Sequence, residues 1–416
     1  MSPPFTIYLV ARVLLTLASS MLSVAVGWHI YEATGNPFDL ALVGLVQILP
    51  IAGLFIVSGW VVDNLQRKYV LAACAALQAL VLVGLALTLG GDSFERFLVF
   101  GLLFISGVGR AFNSPAMQSV LPNIVSDDEL PQAVAITNTA WTGADTAGPF
   151  IAGLLIAWID TGIYAILATF CVVAGVLLLW LPATTVRRPT GRMLSQLLDG
   201  VRYVYRNPLV LPSISLDLVL ILVSSVIALL PVYAIDVLNV GPEALGLMRA
   251  MPALGAVSAG VLLTRLPAMR RTGTLLYGSL AIFAVSVIVF GLSSTLWLSL
   301  VALFVYGASD MVSVNVRTTV IQLATPDELR GRVNSVNSLF IATSNDMGSF
   351  RAGAVAAVLG PVATVLTGGV MAVAVVIGGY FLFPTLRRLD RITDSKARGS
   401  IPTTKSSTPT KVGDRH

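Results

Sequence analysis

The fold is decided by residues 39–89, DLALVGLVQILPIAGLFIVSGWVVDNLQRKYVLAACAALQALVLVGLALTL, in which two apolar runs flank a short turn that holds Arg67 and Lys68. Each run can cross a hydrocarbon layer of about 30 Å as an α-helix that rises about 1.5 Å per residue. A helix that is apolar on every side does not face water, so this stretch predicts a transmembrane hairpin.

Runs of the same kind fill the chain of 416 residues, of which 56% are hydrophobic and only 11% are charged. A soluble protein needs a far more charged surface. The predicted spans lie near residues 7–31, 39–62, 69–89, 97–123, 132–158, 161–182, 209–237, 243–266, 273–292, 296–323, 332–357 and 361–384. We therefore predict an all-α integral membrane protein with twelve transmembrane helices in two six-helix bundles.

The spans divide the chain into bundles at residues 1–182 and 209–384, which a polar linker at 183–208 connects. The linker contains LSQLLDGVRYVYRNPLV, whose apolar residues share one helical stripe, and this pattern predicts an amphipathic helix on the membrane surface. Residues 385–416 are rich in Ser, Thr, Lys and Pro, so we expect a disordered cytoplasmic tail.

The basic residues predict the orientation in the membrane. Twenty of the 26 Lys and Arg residues lie in the tail or in connections on one face, against only Arg96 in the opposite loops. Positively charged loops stay in the cytoplasm. Both termini are therefore expected to be cytoplasmic.

The composition argues against several other classes of protein. The basic residues form no patch with interleaved aromatic residues, so we expect a lipid bilayer and no nucleic acid as partner. Cys74, Cys171 and His29 do not form a cluster, so no metal site and no cofactor is predicted. The chain has no G-x-x-x-x-G-K-[ST] loop and no nucleophile beside a base, which argues against an ATP-driven pump and against an enzyme. We expect a monomer.

The two halves repeat one another at an offset of about 200 residues. Gly44, Pro50 and Gly53 recur at the same spacing 202 residues later, and SDDEL at 126–130 is matched by TPDEL at 325–329. The repeat predicts two bundles that are related by a pseudo-two-fold axis.

Residues 59–71, GWVVDNLQRKYVL, resemble the loop between helices 2 and 3 of the major facilitator superfamily, G-x-x-x-D-R-x-G-R-[KR]. Gly59, Asp63, Arg67 and Lys68 match this motif, whereas positions 64 and 66 depart from it.

Two longer stretches, GVGRAFNSPAMQSVLPNIVSDDELPQAV from residue 107 and VIQLATPDELRGRVNSV from residue 320, are similar to the enterobactin-exporter and macrolide-efflux branch of that superfamily. Its members are also called transmembrane secretion effectors. The resemblance implies a multi-pass protein of a bacterial-type cytoplasmic (inner) membrane. It also implies a cavity, lined by helices 1, 4, 7 and 10, that opens to one side at a time.

The motif defines a predicted cytoplasmic gate that consists of Gly59, Asp63, Arg67, Lys68 and Arg332. Asp63 ends the second span, where its charge opposes the helix dipole and needs a cation or a helix N-terminus nearby. The start of span 11 beside Arg332 supplies both, which suggests a latch for the outward-facing state. The alternative is a basic loop that only sets the topology.

The latch hypothesis makes a testable prediction. Removal of the charge in Asp63→Asn should shift the population away from the outward-facing state, because the carboxylate no longer bonds the start of span 11. Cysteine accessibility labelling of the two ends of the cavity measures this shift. Unchanged labelling would show that the loop sets topology alone.

Charges inside the spans carry most of the functional information, because each costs at least about 2.5 kcal/mol at the middle of the membrane. We select Asp310 first, Asp145 second and Asp346 third as the group that binds a proton. Arg110 and Arg317 would bind an anionic substrate or hold these carboxylates, and Tyr306 shares the polar stripe of Asp310. The alternative for each charge is a static ion pair that fixes helix packing.

Gly148 and Pro149 resemble the centre of the antiporter motif of helix 5, G-x-x-x-G-P-x-x-G-G, with one extra residue on either side of the pair. Proline removes a backbone hydrogen bond and glycine permits close contact, so helix 5 is predicted to flex there. Ordinary tight packing explains the pair equally well.

Together these features predict a secondary active transporter that exports a small organic molecule, siderophore-like or drug-like, by proton antiport with alternating access. Its partners would be protons and a small-molecule substrate. The alternatives are an importer of a small organic solute and a non-transporting membrane receptor or scaffold.

Overall fold

A computed structural model describes residues 2–91, 95–126, 128–182, 193–265 and 271–389 of the chain. These residues form helices and connections and contain no β-strand. The first half contains α1 (Pro3–Thr34), α2 (Pro37–Asn64), α3 (Arg67–Leu89), α4 (Arg96–Val120), α5 (Leu130–Ile159) and α6 (Ile163–Leu179). Between the halves lies α7 (Met193–Arg206). The second half contains α8 (Val210–Ser224), α9 (Leu230–Val232), α10 (Pro242–Arg265), α11 (Thr272–Leu292), α12 (Leu296–Ala324), α13 (Asp327–Leu359), α14 (Pro361–Leu382) and α15 (Pro384–Arg387).

The helices agree with the predicted spans to within a few residues. In the described residues, ten segments are long and apolar enough to cross a membrane, and one of them, Leu130–Leu179, contains both α5 and α6. The polar helix α13 is 33 residues long but is not among them. The all-α membrane fold is thus confirmed, whereas the number of twelve crossings stays a prediction.

The same packing pattern occurs in both halves, as the sequence repeat predicts. In the first half α2 and α3 pack on α4, α3 packs on α6, and α1 packs on α5 and α6. In the second half α10 and α11 pack on α12, α11 packs on α14, and α8 packs on α13 and α14. Equivalent helices therefore occupy equivalent places.

Repeated glycine–proline contacts bring the helix axes together in both halves. A Cβ atom at Gly107 on α4 would lie 2.5 Å from the Gln47 carbonyl oxygen and 2.8 Å from Cγ of Pro50 on α2. The equivalent Cβ at Gly307 on α12 would overlap the Pro252 carbonyl oxygen on α10. Small residues at such crossings allow the backbones to touch, which stabilises helix pairs in lipid.

Span 7 differs from the sequence prediction because it is not one continuous helix. Helix α8 ends at Ser224, Ser225 has the non-helical ψ of 118°, and a 3₁₀ turn at Ile227–Leu229, α9 and a π-helix at Tyr233–Val237 come after it. The break interrupts the regular hydrogen bonds of the helix. The carbonyl of Leu222 instead accepts a 2.8 Å hydrogen bond from Nε of Arg351 on α13.

We define the terminal end of the bundle as the end where α1 begins and α14 finishes, and the distal end as the opposite one. The halves meet at the distal end. Gly153 of α5 abuts Gly246 of α10, and a Cβ at Gly353 of α13 would lie 2.8 Å from the backbone of Ala41 on α2. The structure is therefore closed at the distal end.

The hydrophobic core shows the same closure. One buried cluster includes distal residues of the first half, such as Val26 and Ile156, together with residues from the whole second half. A separate cluster around Phe5, Tyr8 and Leu178 belongs to the terminal end of the first half alone. The two halves thus share a core at the distal end and have separate cores at the terminal end.

The linker and the tail differ from expectation in part. Tyr203 and Val204 of α7 are buried, and the Tyr203 hydroxyl donates to the carbonyl of Ala324 at 2.5 Å, so this face of α7 packs on protein. The tail prediction began too early, because Leu386 of α15 is buried and the Leu389 carbonyl accepts from the Gly273 amide at 2.9 Å. The predicted tail from residue 390 and linker residues 183–192 lie outside the described residues.

The close crossing at Gly307 gives a prediction about stability. Gly307→Ala should lower the free energy of unfolding by about 1–3 kcal/mol, because the new methyl group forces α12 away from α10. Thermal unfolding of the purified protein in detergent measures the loss.

Gly278→Ala on α11 is the matched control, since nothing lies within 4 Å of a Cβ at that position. This control should be neutral or stabilising by up to about 1 kcal/mol, because alanine favours helix over glycine. Equal melting temperatures for the two variants would contradict the assigned crossing.

Candidate substrate cavity and charged clusters

Two adjacent cavities, of about 270 and about 300 Å³, lie within the first half. They share Leu15, Ser19, Arg110, Asn113 and Asp145 in their walls. The further polar wall residues come from α1 to α5 and are Arg12, Thr16, Ser20, Ser23, Gln47, Gln78, Ser106, Ser114, Gln118 and Trp141. A polar space of this kind inside an apolar bundle fits a small polar or charged ligand.

Arg110 lines both cavities. Its Nη1 donates a 2.8 Å hydrogen bond to the side-chain oxygen of Gln47. The neighbouring Ser106 hydroxyl donates to Gln78 at 3.0 Å, and the side-chain oxygen of Asn113 is buried without a partner among the described residues. Arg110 is thus held by a neutral group, which leaves its charge available to a ligand.

Two of the predicted carboxylates lie near Arg110. Asp145 lines both cavities from α5. Asp346, on α13 of the second half, is partly buried and within the electrostatic field of Arg110. The electrostatic interaction of Asp346 with Arg110 therefore connects the two halves.

The other predicted residues form a separate cluster in the second half. Arg317 on α12 makes a buried salt bridge of 2.5 Å with Asp217 on α8, and the side chains are 7% and 6% exposed. Asp310 is one to two turns from Arg317 on the same helix and feels both charges of the pair. Tyr306 packs on Phe283, with 4.4 Å between ring centroids.

The structure does not bring Arg110 and Asp310 together, although they occupy equivalent positions in the repeat. Arg110 lines the first-half cavity, whereas Asp310 belongs to the cluster with Asp217 and Arg317. No ion pair joins the two residues in the described part of the chain. The ion-pair role of Asp217 was not selected from sequence, and its only signal there was a lone charge inside an apolar span.

Of the predicted gate residues, the structure describes Gly59, Arg67, Lys68 and Arg332, whereas the side chain of Asp63 lies outside the described part. Arg67 is buried, and Nζ of Lys68 donates to the carbonyl of Leu181 at 3.1 Å, just after α6. The carbonyl of Arg332 would lie 2.8 Å from a Cβ at Gly200 of α7. The latch through Asp63 therefore stays a prediction.

Gly148 and Pro149 lie at close helix contacts. A Cβ at Gly148 would overlap the Ser20 hydroxyl oxygen on α1. The carbonyl of Pro149 approaches Gly246 of α10, 2.9 Å from the Cβ that a larger residue would carry there. Helix α5 continues through the pair in this structure, and flexing of the helix there stays a prediction.

A distal contact between the halves was missed from sequence. The Tyr31 hydroxyl of α1 donates to the Asp236 carboxylate in the π-helix after α9. Arg96 and Asp39 pair at the same end, within the first half. His29, also near the distal end of α1, bonds Tyr164 at 3.0 Å and Asp160 at 2.9 Å.

Two pseudo-symmetric helix bundles with a polar cavity and embedded charges define a membrane transporter of the major facilitator type. The chain belongs to the transmembrane secretion effector family, whose family model matches residues 2–407. It is thus a transporter and not an enzyme, and its multi-pass helices agree with an inner membrane.

Among curated proteins, the chain is 27% identical over 374 residues to the enterobactin exporter EntS of Shigella boydii serotype 4 (strain Sb227). It is equally similar to the enterobactin exporter EntS of Escherichia coli O1:K1 / APEC. In both cases the alignment covers 88% of this chain and 88% of the relative.

Solved structures share the fold at low sequence identity. A bacterial homolog of the human lysosomal transporter Spinster, inward-facing and occupied, matches 97% of this chain and 100% of its own at 14% identity, with a TM-score of 0.72. A bacterial homologue of the iron transporter ferroportin in an inward-facing state matches 93% of this chain and 100% of its own at 17% identity, with a TM-score of 0.70.

The buried pair gives a prediction about the order of two variants. Arg317→Met should lower the free energy of unfolding by about 3–5 kcal/mol, because it leaves Asp217 and Asp310 buried without their cation. Asp217→Asn should lower the free energy of unfolding by less, because the carboxylate of Asp310 is still near Arg317 and balances its charge. Thermal unfolding in detergent ranks the variants.

Arg265→Met is the control, because Arg265 is exposed at the end of α10. It should melt as the unaltered protein does. A larger loss for Asp217→Asn than for Arg317→Met would refute the proposed charge balance of this cluster.

Proposed function

We propose that this transporter exports a small organic molecule, siderophore-like or drug-like, across the bacterial cytoplasmic membrane in exchange for protons. The observation that carries the proposal is the polar first-half cavity, combined with the shared core and close backbone contacts of the two halves at the distal end. Lys and Arg are concentrated in the terminal-end connections, so this end is assigned to the cytoplasm. The structure then represents the inward-facing state, in which a cytoplasmic molecule reaches the cavity.

Proton exchange is supported by the second-half cluster. Asp310 is partly buried beside one cation, Arg317, and one further carboxylate, Asp217. A single guanidinium cannot fully neutralise two carboxylates. Uptake of one proton by Asp310 would remove the excess negative charge, and access to water on either side would decide when the proton binds.

Export as the direction is supported by the relatives, which are named as enterobactin exporters. Asp145 in the cavity wall is the second candidate for proton coupling, and Asp346 is the third. Asp145 lines the cavity together with Arg110, and Asp346 lies within the electrostatic field of Arg110, so protonation of either carboxylate would change the charge that a substrate meets.

Deletion of the gene tests the proposal. Small molecules in cells and in spent medium should be compared by mass spectrometry, with and without iron limitation. We expect one compound to be lost from the medium and retained in the cells, and an uncoupler to produce the same change in the parent strain. A compound that stays unconsumed in the medium would indicate import instead.

Complementation of the deletion strain with variants tests the role of Asp310 in proton coupling. Asp310→Asn should fail to restore export, because an amide cannot bind and release the proton. Glu32→Gln is the matched control, since Glu32 is exposed near the distal end of α1, and it should restore export fully. Full export by Asp310→Asn would remove Asp310 from the coupling mechanism.

A further inference from the structure

Arg249 of α10 is a cation of the second half that reaches into the first half. It lies one turn after Gly246, where α10 touches α5, and its Nη1 donates a 3.4 Å hydrogen bond to the Ser23 hydroxyl on α1. Its Nη2 lies 3.7 Å from the position of a Cβ at Gly27. The guanidinium therefore packs against α1 beside Gly27 and Ser23.

The charge of Arg249 is not neutralised within the described part of the chain. Its Nε is buried and has no hydrogen-bond partner there, and none of the three ion pairs found among those residues includes it. A guanidinium inside a membrane protein is costly unless an anion or a water-filled space offsets it.

The first-half cavity supplies that space. Ser23, the partner of Arg249, lines the cavity of about 270 Å³ together with Ser19 and Arg110. Among the residues that the structure describes, the cations at or beside the two cavities are Arg12, Arg110 and Arg249, and the carboxylates are Asp145 and Asp346. Cations therefore exceed carboxylates by one.

We infer that the transported molecule carries an anionic oxygen group, such as a carboxylate, which Arg249 and Arg110 bind from opposite halves. This inference rests on the proposed transport function and names its substrate class. An anion bound by both residues contacts both halves at once, so its presence stabilises the distal closure that brings Arg249 to Ser23.

A labelling experiment measures the local potential without the unknown substrate. The full chain carries Ser19→Cys in a background with Cys74→Ala and Cys171→Ala, because Ser19 is exposed in both cavities. Its rates of reaction with an anionic and a cationic methanethiosulfonate reagent are compared. We expect Arg249→Gln to lower the anion-to-cation rate ratio by about tenfold, since one nearby charge is removed.

Arg249→Lys should keep most of the ratio, because lysine retains the charge. Arg265→Gln on the exposed end of the same helix should leave the ratio unchanged. An unaltered ratio in Arg249→Gln would show that the guanidinium does not face the cavity and would overturn the inference.

Protection from labelling then tests binding. Benzoate should protect Ser19→Cys better than its neutral analogue benzamide, and Arg249→Gln should weaken the benzoate effect about tenfold or more. Equal protection by both compounds would refute the anion site. Protection by phosphatidylglycerol in place of benzoate would identify a lipid phosphate as the anion and would also refute the substrate assignment.

These measurements need no transport, so they can fail while the proposed function holds. If gene deletion identifies an exported compound that has no anionic group, the substrate class is wrong and export is still supported. If deletion shows no export while benzoate binds through Arg249, the proposed function fails and the anion site remains.

Discussion

The backbone contact between Gly153 of α5 and Gly246 of α10 fixes how the two halves of the molecule are joined. A Cβ at Gly246 would lie 2.9 Å from Cα of Gly153, so any side chain there would separate the two halves. Because this contact lies at the distal end, the halves share one apolar core there and have separate cores at the terminal end. It also positions Arg249, one turn further along α10, against α1.

A second constraint is that hydrocarbon does not solvate polar groups, so each embedded charge or open carbonyl must find a partner or a polar cavity. The structure contains several solutions. Asp217 and Arg317 neutralise each other, and Arg351 bonds the Leu222 carbonyl that the break after α8 exposes. Arg110 faces the cavity beside Gln47. Asp310 and Arg249 are incompletely balanced among the described residues, and to them we assign proton and substrate binding.

Much of the fold was predictable because apolar run length and turn polarity act locally. The boundaries of α11 and α12 matched their predicted spans within one residue, and the sequence repeat anticipated the equivalent packing of α4 and α12. Span 7 was not predictable in this way. Apart from Asp217, Asp236 and a few serines the span is apolar, so its composition marks no break. A break after Ser224 is tolerated in the membrane because Arg351 of another helix bonds the Leu222 carbonyl.

In the candidate site, too, some features were predictable from the sequence and others were not. The sequence by itself determined which residues are charged inside spans, because a lone Asp or Arg in an apolar run is visible without any structure. It also determined the orientation preference, since the basic connections are a property of composition. Only the tertiary structure decided the partners: Asp217 for Arg317, Gln47 for Arg110, and Ser23 for Arg249. The physical reason is that helical periodicity places a side chain on a face of its own helix, whereas contacts between residues far apart in the chain depend on how the helices pack.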